Sequence, residues 1–504
     1  MKLPRVMAVG LWLASVLAAS IPAAASAQLV TLKTVPVATQ DQFLLFPSAN
    51  RGMGGVSIAL DDPFLDPFVN PAKGSLIRGS QMFVTPSFYD VSDDGGAGRA
   101  LPITVTAGGS NWFGGGLVSL QQIETARTPF QPVFFEPGGA ELLSERSNSN
   151  IYADLFVGTR IPGANATLGA SVLWADFNAM QGVDLLYAGS ESIEQDGHLL
   201  DLRAGVYGQL DGGRNYEMLL LYNNLDMRHR VTYPEWVSPE PLPNDTNVPI
   251  DPTPQQRVEK NLDRTNTYGV HLGYDQPLAA AGWRVGGILT GNWKMHPKIP
   301  NYDIMNIPRD PGDSFGMDVG LGLSRTMDAT TFGIDFILEP IWSDTWAEAA
   351  EPVPTVDGDT IPEGGRTVEN EFTFMNAIVR AGFGYRIDRV GLQLGLQVRS
   401  IDYELRQVDH VQDSKRRQDE GWLEWTPTWG VTVELASGVQ LYYQGRVTAG
   451  TGQPGTAWGP AAQDRFAAMA DAGAADFIVA PSGPLTLQEA NVGAHQLAVM
   501  IPIR

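Results

Sequence analysis

The chain has 504 residues, a formal net charge of −22, 55 glycines and no cysteine. So acidic a chain does not track a phosphate backbone, which excludes nucleic acid as a partner; the absent thiols exclude a disulfide framework, a thiolate metal site, a cysteine nucleophile and a lipoprotein anchor. Charged residues make up only 18% of the chain, beside 20 phenylalanines, 14 tyrosines and 12 tryptophans, a mixture suited to a large β-protein.

Residues 1–27 read as a signal peptide. Lys2 and Arg5 supply the positive start and Val6 to Ile21 the apolar run. Ala25-Ser26-Ala27 is the small-residue cleavage site, with Gln28 as the expected mature N-terminus. No later stretch reaches the ~18 uninterrupted apolar residues that a membrane helix needs. An exported chain of this kind either stays soluble or crosses a membrane as strands.

Residues 28–78 form a second unit. Its centre, "NRGMGGVSIALDDPFLDPFVNPA" (Asn50–Ala72), is too broken by Gly and Pro for a long helix or a central strand. The Asp61-Asp62 pair fits turn and cap chemistry, with an ion site as the alternative.

From residue 79 the pattern has a period of two. In "SFGMDVGLGLSR", Phe315, Met317, Val319, Leu321 and Leu323 share one face, and Ser314, Gly316, Asp318, Gly320 and Gly322 the other. Similar segments are predicted at 80–89, 101–107, 112–123, 149–160, 166–178, 199–210, 215–230 and 266–276. The series continues at 282–295, 314–327, 330–341, 371–387, 389–404, 421–436, 438–448 and 491–503. Tight turns rich in Gly, Asp and Asn alternate with long polar connections at 124–148, 231–265, 296–313, 342–370, 405–420 and 449–490. Turns on one side and long loops on the other describe an outer-membrane barrel. The expected fold is all-β: a transmembrane antiparallel β-barrel of 14–16 strands over residues 79–504, with both ends on the periplasmic side.

Charge assigns the faces. Arg380 lies on the face of Phe372, Phe374 and Ile378, and an Arg in lipid at mid-bilayer costs about 2–4 kcal/mol. Arg380, Asp318, Asp335 and Gln397 are therefore expected in the lumen, and Leu321, Val379, Phe383 and Leu394 against lipid. Trp283 and Trp293, with Trp422, Trp425 and Trp429, are expected in the interfacial girdles.

With the barrel in place, Arg51–Ile77 ("RGMGGVSIALDDPFLDPFVNPAKGSLI") resembles the N-terminal signature of the FadL-type outer-membrane transporters of long-chain fatty acids and other hydrophobic molecules. The wider kin of that family include PorV-type secretion-associated barrels. Gly52, Gly54, Gly55, Ala59, Asp61, Asp62, Pro63, Asn70, Pro71 and Ala72 match the pattern. The resemblance implies that this segment is a plug inside the lumen, with Gly54, Gly55, Asp61, Asp62, Asn70, Pro71 and Ala72 as its plug or gate residues. The composition suits that path, since irregular backbone is tolerated at membrane depth only where protein or water surrounds it. One departure is Lys73, where the family commonly has glycine after Asn-Pro-Ala.

The six histidines are scattered and no motif joins one to a serine or to metal-ligand spacing, so no catalytic residue, metal or cofactor is expected. A wall of Phe372, Phe374, Ile378 and Arg380, with Phe64 and Phe68 of the plug, suits an amphipathic ligand, its acid head near Arg380; packing of plug against wall is the alternative. Gly459–Pro481 contains a helix-compatible run that would either edge an entry groove or pack as a lid on its own loop. The reading is uptake of hydrophobic or amphipathic, fatty-acid-like molecules across the outer membrane of a Gram-negative-type bacterium. A secretion or surface-assembly scaffold and a general diffusion porin are the alternatives. The expected partners are outer-membrane lipids, a hydrophobic small-molecule ligand and the barrel-assembly machinery, with the oligomeric state open.

Overall fold

The computed structural model describes residues 42–503 except 93–94, 125–146, 182, 184–191, 238–252, 297–311, 350, 436–437 and 455–486. The expected signal peptide, the start of the 28–78 unit and the expected helix at 459–481 lie outside the described residues.

Sixteen strands form the wall. β1 has two pieces, Gly79–Val84 and Ser87–Val91, followed by β2 (Ala97–Gly108), β3 (Trp112–Glu124), β4 (Ser147–Arg160) and β5 (Ala166–Phe177). Next come β6 (Ser192–Leu210), β7 (Arg214–Val237), β8 (Thr253–Pro277), β9 (Trp283–His296), β10 (Gly312–Met327) and β11 (Thr330–Glu348). The last five are β12 (Arg366–Ile387), β13 (Val390–Asp409), β14 (Ser414–Glu434), β15 (Gln440–Pro454) and β16 (Leu487–Ile503). Each strand pairs antiparallel with its sequence neighbour, and β1 closes the ring on β16 through Ser80↔Ile503 and Val91↔Val492. Closure leaves no edge within the membrane; where the β12–β13 ladder skips Met375 and Asn376, the N–H groups of Ala377 and Asp402 are taken by Ser400 Oγ and Asn376 Oδ1. An even strand count returns both ends of the wall to the short-turn side.

The break in β1 falls at Thr85-Pro86. Proline has no N–H to give the ladder, but its carbonyl accepts from Leu497 and Thr85 donates to Pro102, so the seam stays bonded. Of the hairpin turns, 328–329 and 388–389 place Asp328 and Asp388 at φ of 44° and 49°, the left-handed region that Asp tolerates better than most residues.

Burial is inverted relative to a soluble protein. Leu394 is 65% exposed and Leu155 60%, while Asp335 is 1% exposed and Asn150 0%. An apolar exterior around a polar interior is the signature of a wall that faces lipid. The register confirms the expected faces: Asp335, Arg380 and Gln397 form one inward row across β11–β13, and Leu321, Phe383 and Leu394 stand outward. In single-cysteine variants of this cysteine-free chain, a membrane-restricted probe is expected to label Leu394→Cys and leave Gln397→Cys unmodified; the reverse would shift the register by one.

Two expected loops are strands. β7 and β8 run for 24 and 25 residues, against the roughly 9–11 that cross a bilayer, and occupy much of 231–265. The expected loop at 405–420 is a tight hairpin turning at 410–413. Above the membrane neither strand face needs to be apolar, so the two-residue period fades although the pairing continues. The 349–365 connection adds a two-residue ladder, Val353–Pro354 with Thr360–Ile361.

Candidate functional site: the lumen and the N-terminal segment

Residues 42–78 include the short helices Arg51–Met53, Asp66–Val69 and Pro71–Leu76. The first lies against β12–β15 and the third against β2–β6, on another part of the wall. Gly54 and Gly55, both near φ 72°, turn the chain after Met53. Gly54 donates to Thr428 Oγ1 at 2.8 Å, and that hydroxyl donates to the Gly52 carbonyl at 2.9 Å. The wall meets the segment with glycine. A Cβ on Gly395 would collide with the Gly54 nitrogen, on Gly382 with Met53, on Gly169 with Pro71 and Ala72, and on Gly205 with Asn70. These four wall glycines are therefore docking positions.

Asp62 is the internal knot. Its carboxylate accepts from Ser48 Oγ at 2.6 Å, from the backbone N–H groups of Ala49 and Asn50, and from those of Phe64 and Leu65 at 3.1 Å. This is turn and cap chemistry. Asn70 caps the following helix, its Oδ1 accepting from Ala72 N–H, while its Nδ2 donates to Glu217 at 2.7 Å. Pro71 sits where a helix needs no N–H, and Ala72 is small enough to lie on Gly169. At the other side of the lumen, Asp335 accepts from the N–H groups of Ser57 and Ile58 at 2.8 and 3.2 Å.

Lys73, the departure from the family pattern, is buried among carboxylates. Its Nζ lies 2.8 Å from Asp66, 3.4 Å from Asp61 and 3.6 Å from Glu217 of β7. Burial alone would lower the ammonium, yet Asp66, Glu217 and Asp61 hold it well above the ordinary lysine range. Burial pushes the Asp66 carboxyl up to about 7, against Lys73 and with the added push of Asp61 and Asp62. The sequence offered a signal here, a lysine where a glycine was expected. For Glu217, Asp335 and Thr428 it offered none beyond an inward position.

Above this, on the side away from the short turns, the wall carries an apolar cluster. Ile341, Phe374 and Tyr403 form one row across β11–β13, packed with Phe372, Ile401 and Leu405, and Trp422 leans on them. Trp422 therefore belongs to this inward cluster and not to the girdle, whereas Trp293 and Trp425 are outward and about half exposed. Below the cluster lies a charged layer: Glu339 takes Arg399 at 2.6 Å and Asn376 at 2.8 Å, and Arg380 donates to Gln397 at 3.0 Å. The structure thus brings Phe372 and Phe374 together. Ile378 packs with Ile58, Ile288 and Ile337. Phe64 meets Phe83 and Tyr442 edge to face, with centroids 4.8 and 5.4 Å away, and Phe68 lies tilted against Phe46 at 4.9 Å and edge to face with Phe156 at 5.1 Å. The last two hold the segment to the wall, apart from the cluster around Phe374.

No family profile matches the sequence, and no curated protein matches it significantly. Among solved structures, a FadL homologue from Pseudomonas aeruginosa aligns over 91% of this chain and 99% of its own, at 11% identity and a TM-score of 0.43. CdiB from Acinetobacter baumannii aligns over 84% of this chain and 60% of its own, at 9% identity and a TM-score of 0.38. The FrpB iron transporter from Neisseria meningitidis covers 86% of this chain and 83% of its own, at 10% identity and a TM-score of 0.32. The fold rests on the ladder itself, not on these loose likenesses. A closed 16-stranded wall with an apolar outer band and a polar interior is an outer-membrane β-barrel.

Proposed function

We propose that the barrel carries hydrophobic or amphipathic small molecules across the outer membrane, with residues 42–78 as the plug that gates its lumen. The observation that carries this reading is the inward cluster of Ile341, Phe372, Phe374, Tyr403 and Trp422. A water-filled porin lines its lumen with polar side chains; here apolar ones are buried against one another, and an apolar guest that takes the place of those mutual contacts keeps them out of water. The cluster receives the apolar part of the cargo, and the charged layer of Glu339, Arg380 and Arg399 meets its polar end. The segment's resemblance to the FadL-type signature supports the same reading.

Uptake of labelled hydrocarbons and fatty acids into cells expressing the protein tests it. Replacing Phe374 by Ser removes an apolar contact worth about 1.5–3 kcal/mol, so uptake of the preferred compound is expected to fall roughly tenfold or more, with the barrel still heat-modifiable. Unchanged uptake in that variant moves the binding surface elsewhere. No uptake by the intact protein favours the scaffold reading.

A further inference from the structure

Between the N-terminal segment and the wall lies a cavity of about 220 Å³. Residues 57–61 and Lys73 form one side, and Tyr207, Glu217, Asp275, Arg284 and Thr326 the other. Thr326 pairs with Thr331 beside the 328–329 turn, and Arg284 with Pro277 beside the 278–282 turn, which places the cavity at the short-turn end. Elsewhere the segment lies flush on glycine, as at Gly395, Gly382, Gly169 and Gly205. Here the wall presents long side chains, and a gap opens.

The cavity carries surplus negative charge. Asp61, Glu217 and Asp275 line it and Asp66 stands behind Lys73, against two cations, Lys73 and Arg284. Both cations are engaged: Arg284 pairs with Asp275, and Lys73 lies closest to Asp66. Glu217 has a side chain only 1% exposed. Its Oε1 accepts no hydrogen bond, and its ion-pair partner Lys73 is 3.6 Å away. A buried carboxylate oxygen without a donor is costly, and it is a ready acceptor for a hydroxyl or an ammonium.

We propose that this cavity is the exit of the passage beside the segment, and that it passes uncharged or cationic molecules while turning back anions. The proposal rests on the transport reading and narrows its cargo. An entering carboxylate sheds water beside like charges whose counterions are already taken, which is unfavourable in a confined, low-dielectric site. A neutral hydrocarbon meets no such penalty, and an alcohol or amine gains Glu217 as an acceptor. Fatty-acid anions are then the poor cargo, and hydrocarbons, alcohols or amines of the same bulk the good one.

The absence of cysteine allows a direct test. Thr326→Cys, at the mouth, is treated with methanethiosulfonates of similar size bearing a trimethylammonium or a sulfonate, and the ratio of rates is divided by that at Ala279→Cys on the exposed 278–282 turn. The normalised ratio is expected to favour the cation by at least about tenfold and to fall in a Thr326→Cys, Glu217→Gln background. The trimethylammonium adduct is expected to reduce toluene uptake to background. A normalised ratio near one overturns the charge selection. A fully modified protein that still takes up toluene at the unmodified rate overturns the exit. If the unmodified protein takes up no toluene, the transport reading itself fails, and the rate ratio still reports the charge preference of the cavity.

Discussion

Deleting Arg51–Ala72 is expected to raise ion conductance in planar bilayers, while the protein remains a folded, heat-modifiable barrel. The wall does not need the segment for its ladder: its strands pair with one another, and β1 closes on β16. The segment in turn meets the wall on several sides, at Thr428 on β14, Asp335 on β11 and Glu217 on β7. Removing it uncovers the glycine and polar positions on which it docks, together with Phe83, Phe156 and Ile378, and water enters the vacated space. The deletion also removes the segment side of the exit cavity, so selective uptake of hydrophobic compounds should vanish as conductance rises. A milder version uses Gly395→Leu. Its side chain would have to occupy the space of the Gly54 backbone, and overpacking of this kind costs about 1–3 kcal/mol, so partial opening is expected. If the deleted protein conducts no better than the intact one, the segment is not a plug, and a periplasmic docking role accounts for it better.

The transmembrane part of the fold was legible because the bilayer imposes its own pattern. Leu392, Leu394 and Leu396 alternate with Gln393, Gly395 and Gln397 because lipid lies on one side and the lumen on the other, and every expected strand has its counterpart. The pattern failed where that constraint stops. In "LRQVDHVQDSKRRQDEGW" both faces of the β13–β14 hairpin meet polar surroundings, so a paired strand read as a loop. The site was less legible. Asn70, Pro71 and Ala72 stood out as a local motif, and the structure gives each a local task. Lys73 stood out only as an exception. Its partner Glu217 is far away in sequence, and pairing over such a distance leaves no trace in one chain. Arg380 was placed in the lumen correctly from the cost of a charge in lipid, but its neighbours, which decide what it can bind, come from β11 and β13. The inward glycines were visible and unexplained, because the atoms that need their space belong to another segment.

Lys73→Met is expected to open the barrel at neutral pH and to close it again in acid. The ammonium is the only cation within salt-bridge distance of Asp66 among the described residues, and it also faces Asp61 and Glu217. Removing one partner of a buried pair costs about 3–5 kcal/mol. That moves a docking equilibrium by a factor on the order of several hundred, enough to convert a closed population into an open one. The wild type already carries a weaker form of the same dependence. Asp66 titrates at about 7 in the docked segment, above its ordinary 3.8, so the docked state holds a proton that the released state has lost. Its contribution is fully present below about pH 4 and is lost as pH rises through 7. Lys73 is displaced upward from 10.5; its contribution is present below that value and is lost only above it, outside the range from 5 to 8. Wild-type conductance should therefore climb as pH rises from 5 to 8. In Lys73→Met, Asp66 faces Asp61 and Glu217 with no ammonium between them, so protonation of Asp66, which burial pushes up to about 7, relieves the repulsion in acid and lets the segment dock. Conductance recorded between pH 5 and 8 decides the matter: the variant should be wide open at 8 and near wild type at 5. A variant that is closed throughout, or equally open at both ends, would show that the Lys73 cluster does not hold the segment.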